Sequence, residues 1–116
     1  PVMKKLFAVL FLSAAVLAAA DISGTWNFNV ETEMGSGAPV FVLKQSGEKL
    51  SGTYSGALGE AQVTGAVKGD EVTIEFELQG ARIVYTGKVD SSGSTMKGKV
   101  DLGGMASGTF TASKQK

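Results

Sequence analysis

The sequence predicts an all-β fold: a single eight-stranded antiparallel up-and-down barrel over residues 21–116, preceded by a secretory signal-peptide helix in residues 1–20. Three observations predict it. From Ile22 onward no window sustains a 3.6-residue apolar period, whereas two-residue alternation recurs between turn residues spaced every eight to twelve positions. A pattern of apolar, any, Gly, any, apolar occurs six times, and alternation places each of these glycines on the inward face of its strand. Composition also breaks at Asp21, because the first twenty residues hold 16 of the 50 apolar residues and none of the 16 glycines.

The leading segment reads as an export address. Met3, Lys4 and Lys5 form a short positive head, Leu6 to Leu17 an apolar body, and Ala18-Ala19-Ala20 a small-residue end before the polar Asp21. Pro1 and Val2 precede Met3 and read as an overhang. The apolar stretch from Leu6 to Ala20 is fifteen residues, short of the roughly 20 that a spanning helix needs. Cleavage after Ala20 is expected, with release to the periplasm or the exterior and no stable membrane insertion of the mature domain.

Thr25 to Glu33 reads as the first strand, with Trp26, Phe28 and Val30 on one face. Val40 to Gln45 turns Phe41, Leu43 and Gln45 inward, Leu50 to Ser55 does the same with Leu50 and Tyr54, and Ala61 to Val67 with Val63 and Val67. The cleanest alternation is Val72 to Leu78, where Val72, Ile74, Phe76 and Leu78 oppose Thr73, Glu75 and Glu77. Arg82 to Val89, Met96 to Leu102 and Ala106 to Ala112 complete the eight.

Hairpin registers test this reading. A two-residue Gln79-Gly80 turn sets Leu78, Phe76 and Ile74 opposite Ala81, Ile83 and Tyr85 inside, and Glu77 and Glu71 opposite Arg82 and Lys88 outside. A Gly69-Asp70 turn likewise puts Val67 opposite Val72 and Gly65 opposite Ile74. In the last hairpin a two-residue Gly103-Gly104 turn would throw Phe110 outward, so parity requires a three-residue turn that includes Met105 and brings Phe110 opposite Gly98.

Glycine inside a strand marks a sharp bend or a close approach, and repeated glycine kinks curve a sheet toward closure. Eight strands with short links then make a barrel without exposed edges, a two-sheet sandwich being the alternative. An outer-membrane barrel does not fit. Glu75, Glu77, Lys97 and Lys99 would face lipid, at roughly 2 to 4 kcal/mol for each midplane lysine.

The residue inventory excludes several chemistries. With no His and no Cys, the chain lacks Ser/His/Asp and Cys/His nucleophilic sites, His- or Cys-ligated metal and disulfides. No cofactor is implied. From Asp21 the domain carries 9 basic and 11 acidic groups without a basic cluster, which argues against nucleic acid. Glu31 with Glu33 and Glu75 with Glu77 are carboxylate pairs on predicted solvent faces, so a hydrolase ranks last among the readings.

Any interior ligand would meet mainly apolar groups. Alternation turns Tyr54, Tyr85 and Gln45 inward as polar handles beside Trp26. Two loops carry exposed apolar groups, Met34 in residues 34–39 and Leu58 in residues 56–60, and alternating strand directions put both at one barrel end. The domain is therefore expected to be non-enzymatic and monomeric, binding a small apolar molecule or an envelope protein at that end. A closed accessory domain without ligand is the alternative.

Gly24-Thr25-Trp26 at the start of the first strand resembles the G-x-W opening of the calycin group, lipocalins and avidins, and Leu50-Ser51-Gly52-Thr53-Tyr54 is similar to an avidin strand. That resemblance implies a secreted up-and-down barrel with a ligand at one end. Of the avidin ligand contacts only Tyr54 matches, since Phe28 and Gly56 stand where an Asn and a Ser would be, and Trp26 is the sole Trp. Biotin is not the implied ligand. The final strand also lacks the Arg that lipocalins often pack on this tryptophan. The same segments resemble small secreted bacterial β domains with no assigned activity, a likeness that brings no site.

Overall fold

The computed structural model describes residues 21–115, in which nine strands pair in one antiparallel sheet that closes on itself. In order these are β1 Gly24–Thr32, β2 Gly35–Gly37, β3 Val40–Ser46, β4 Lys49–Gly56, β5 Gly59–Lys68, β6 Glu71–Leu78, β7 Ala81–Val89, β8 Thr95–Leu102 and β9 Ser107–Lys114. Consecutive strands from β3 to β9 are neighbours, and β1 pairs with both β3 and β9, which completes an eight-stranded barrel and excludes the sandwich. The expected signal-peptide helix in residues 1–20 lies outside the described residues.

The ninth strand corrects the expected eight. Gly35-Ser36-Gly37, read from sequence as loop, folds back on Val30 to Thr32 of β1 as an extra strand. Its turn is held by Thr32 Oγ1, which accepts from the Met34 amide at 3.0 Å and donates to the Gly35 carbonyl at 3.1 Å. Backbone pairing alone makes this strand, so three small residues without alternation carried no signal for it. A second correction concerns β9, which starts after Ala106 and runs to Lys114, opposite Trp26.

The anticipated registers are present. Leu78 faces Ala81 across Gln79-Gly80, and both turn residues have positive φ, 52° and 83°, as a primed hairpin turn demands. Val67 faces Val72 and Gly65 faces Ile74. Phe110 lies opposite Gly98, and Leu102 and Ala106 close a three-residue turn through a 2.9 Å backbone bond. Trp26, Ile74 and Phe110 belong to one buried cluster. Leu78 and Leu102 are only partly buried, because each is the last inward position before a turn.

Closure depends on the inward glycines. A methyl group built on Gly108 would fall on the Glu31 carbonyl oxygen, on Gly98 it would meet the Thr86 carbonyl, and on Gly52 the Val42 carbonyl. Each glycine thus sits where the neighbouring backbone has come too close for any side chain. Gly108→Ala should destabilise the barrel by about 1 to 3 kcal/mol through overpacking. Gly37→Ala, with nothing within 4 Å of the added carbon, should stay within about 0.5 kcal/mol. Urea unfolding of the two variants checks this, and equal midpoints would refute the steric account.

Candidate functional site

The two barrel ends differ in how they are finished. At the lower end, beside the β3–β4, β5–β6 and β7–β8 turns, residues 21–23 fold across the opening. Ile22 and Trp26 are fully buried there. The Trp26 indole Nε1 donates to the Ile22 carbonyl at 2.9 Å, and the Ile22 amide donates to Gln45 Oε1 at 2.8 Å. Gln45 Nε2 donates in turn to the Gly47 carbonyl at 3.0 Å, and the Gln45 amide to Ser23 Oγ at 3.0 Å. Two of the sequence-derived candidates, Trp26 and Gln45, therefore have their polar atoms engaged by the chain itself. They form a plug.

The β7–β8 loop at the same end is also self-satisfied. The Asp90 carboxylate accepts from Ser92 Oγ at 2.9 Å and from the Ser94 and Thr95 amides at 3.2 and 3.3 Å. These bonds, the Ser92 hydroxyl foremost, hold its pKa down at about 2 against a smaller effect of desolvation. Asp90 thus caps its own turn.

The upper end is built differently. Met34 is 71% exposed in the β1–β2 turn, Leu58 52% in the β4–β5 turn and Met105 71% in the β8–β9 turn. The remaining exposed large apolar side chain among the described residues is Val42, on the barrel wall. Sequence reading singled out Met34 and Leu58 and left out Met105, although the parity argument had already placed it in a turn at this end. The Ser107 amide donates to Glu33 Oε1 at 3.1 Å, tying the β1–β2 turn to the start of β9, just after the turn that carries Met105.

Below this rim lie the two tyrosines. Tyr54 and Tyr85 are buried inside the barrel, within a continuous aromatic cluster that includes Phe28, Phe41, Phe76 and Phe110. Tyr54 stacks on Phe76 with ring centroids 4.6 Å apart. Its phenol folds over Gly56 and next to Pro39, and a methyl on Gly56 would meet the hydroxyl at 2.6 Å. Burial raises the Tyr54 pKa, and the facing Leu58 amide partly offsets this.

Tyr85 is 4% exposed, and its hydroxyl has no hydrogen-bond partner among the described residues. No fully buried side-chain oxygen or nitrogen is left unpaired among the described residues. Burial drives its pKa strongly up, and the nearby Tyr54 phenol adds to the rise.

A groove of about 960 Å³ runs from Met105 along the outer wall of β7, β8 and β9, past Glu33, Asp101, Val84 and Lys99. The carboxylate pairs noted in sequence lie on the outer wall: Glu31, Glu33 and Glu77 are exposed, and half-buried Glu75 pairs with Arg82. Among the described residues no helix is long and apolar enough to cross a membrane.

Comparison with known proteins supports the architecture. No family model and no curated protein matches the chain. Solved structures of designed barrels do resemble it. A redesigned β-barrel superposes with a TM-score of 0.68 at 18% identity, over 89% of this chain and 96% of that one. A redesigned barrel bound to the dye DFHBI gives 0.63 at 14% identity, over 88% and 98%. A de novo fluorescence-activating barrel gives 0.61 at 16%, over 80% and 93%. At these identities the likeness establishes the fold: a small closed β-barrel.

The Tyr85 environment has a pH signature. Below pH 10 the phenol is protonated whether the chain is folded or not. Above it the unfolded chain ionises while folded Tyr85 keeps its proton, so stability should fall as pH rises past about 10. Melting temperatures between pH 8 and 11.5 should show this loss in the wild type and a smaller one in Tyr85→Phe. Parallel curves would disprove it.

Proposed function

We propose that this barrel is an exported, non-enzymatic binding protein that holds a small apolar molecule at its upper end. The observation that carries the reading is the placement of exposed apolar groups: Met34, Leu58 and Met105 share one rim, whereas the opposite end is plugged and hydrogen-bonded. Contiguous exposed apolar surface marks binding sites, and a ligand seated on this mouth would join these three side chains into such a surface. The DFHBI-bound barrel supports this use of the fold, as a protein of the same architecture that takes a small dye. The leader pattern in residues 1–20 supports a periplasmic or extracellular location, and Gly24-Thr25-Trp26 supports kinship with calycin-like secreted bacterial barrels. Carboxylates spread over the outer wall support a role without catalysis.

One observation favours the alternative, a closed domain without ligand: the aromatic cluster occupies the interior beneath the rim. The two are reconciled if the molecule rests on the rim, reaching down no farther than Tyr54. Nile red, a neutral solvatochromic dye, tests the proposal. Its emission should shift to the blue on addition of the protein, with saturation at one dye per chain. Replacing Met34, Leu58 and Met105 together by Ser should weaken binding about tenfold or more, since tenfold needs only about 1.4 kcal/mol. Val42→Ser, on the wall, should leave it unchanged. A dye that does not bind, or that binds the rim variant equally well, would sink the proposal.

A further inference from the structure

We infer that the ligand class of this rim is a cationic amphiphile, with an apolar body over Met34 and Met105 and a positively charged head between Glu33 and Asp101. The inference rests on the proposed apolar binding at the upper end and adds to it the sign of the ligand's charge.

The partition of charge along the barrel axis carries it. Among the described residues the upper half holds six carboxylates, Glu31, Glu33, Glu60, Glu75, Glu77 and Asp101, against two cations, Arg82 and Lys99. The lower half holds five carboxylates against six lysines and is nearly balanced. The negative surplus of the domain thus sits in the upper half, the half that carries the exposed apolar turns. Arg82 is committed to Glu75, which leaves Glu77 without an ion pair among the described residues although the register sets it opposite Arg82.

Two of the carboxylates are fixed beside the apolar groups. Ser107 donates its amide to Glu33 Oε1 at 3.1 Å, and Gly104 donates to Asp101 Oδ1 at 2.9 Å. Each therefore keeps its second oxygen for another donor. Both line the groove that begins at Met105, with Lys99 the single opposing charge there. Glu33 directly precedes Met34, and Asp101 stands just before the β8–β9 turn that carries Met105, so each anionic group adjoins an exposed methionine along the chain. An ammonium head gains from this arrangement. A carboxylate or phosphate head is repelled, which sets fatty acids and anionic lipids apart as disfavoured ligands.

Displacement of Nile red by three ten-carbon amphiphiles below their micelle concentrations tests the charge preference. Decyltrimethylammonium should compete at about tenfold lower concentration than decanoate, with decanol between them. The gap should shrink at 1 M salt, where the screening length falls to about 3 Å. Glu33→Gln combined with Asp101→Asn preserves the acceptors for the backbone amides and should narrow the gap to about threefold or less. Glu48→Gln, at the lower end, should leave it intact. Equal competition by decanoate, or a gap insensitive to salt, overturns this inference while leaving the apolar site standing. Absence of Nile red binding overturns both.

Discussion

The structure depends on backbones approaching one another where a side chain would normally stand. The methyl positions of Gly52, Gly98 and Gly108 coincide with carbonyl oxygens of the next strand, so the sheet coils as tightly as it does only because those side chains are hydrogen atoms. Tight coiling brings β9 alongside β1 over seven residue pairs, from Trp26 opposite Lys114 to Thr32 opposite Gly108. Closure follows from that pairing, and with it the burial of one apolar face from every barrel strand. The space over Gly87 is not left empty. The tip of the Phe110 ring reaches it, and that ring packs against Phe28 and Tyr85.

Period-two alternation made most of this legible in the sequence. Once one face of a strand must be buried, slipping the register by one residue inverts every side chain, so the apolar positions of a hairpin determine its turn length. That is why the three-residue turn before β9 could be deduced from Phe110 alone. The same logic is silent wherever pairing is not driven by burial. Gly35-Ser36-Gly37 pairs through its backbone in solvent, and nothing in its side chains reports it. Ile22 was hidden for a related reason: it lies before the first strand and becomes core because residues 21–23 fold across the lower opening.

The candidate site was less legible than the fold. Alternation says which side chains point inward, but it does not say which end of the barrel is finished by the chain itself. Gln45 and Tyr54 are both polar groups turned inward, and sequence treats them alike. In space Gln45 is saturated by Ile22 and Gly47, whereas Tyr54 lies beneath the rim facing the Leu58 amide. Met105 was passed over because its turn is only three residues long, whereas Met34 and Leu58 stand in the longer segments 34–39 and 56–60. Its significance comes from sharing a rim with Met34 and Leu58, three turns far apart along the chain.

Energetics decide where on this barrel a ligand can be held. Each large side chain buried in the core contributes roughly 1.5 to 3 kcal/mol, against a net stability of about 5 to 15 kcal/mol for a domain. Opening an interior cavity by withdrawing several of Phe28, Phe41, Phe76 and Phe110 would consume that margin, and in a chain without Cys no disulfide can restore it. Side chains already exposed on the rim carry no such obligation. Covering Met34, Leu58 and Met105 removes apolar surface from water without dismantling the aromatic cluster below. A barrel this small can therefore keep a filled core and still bind, provided that binding happens at its edge.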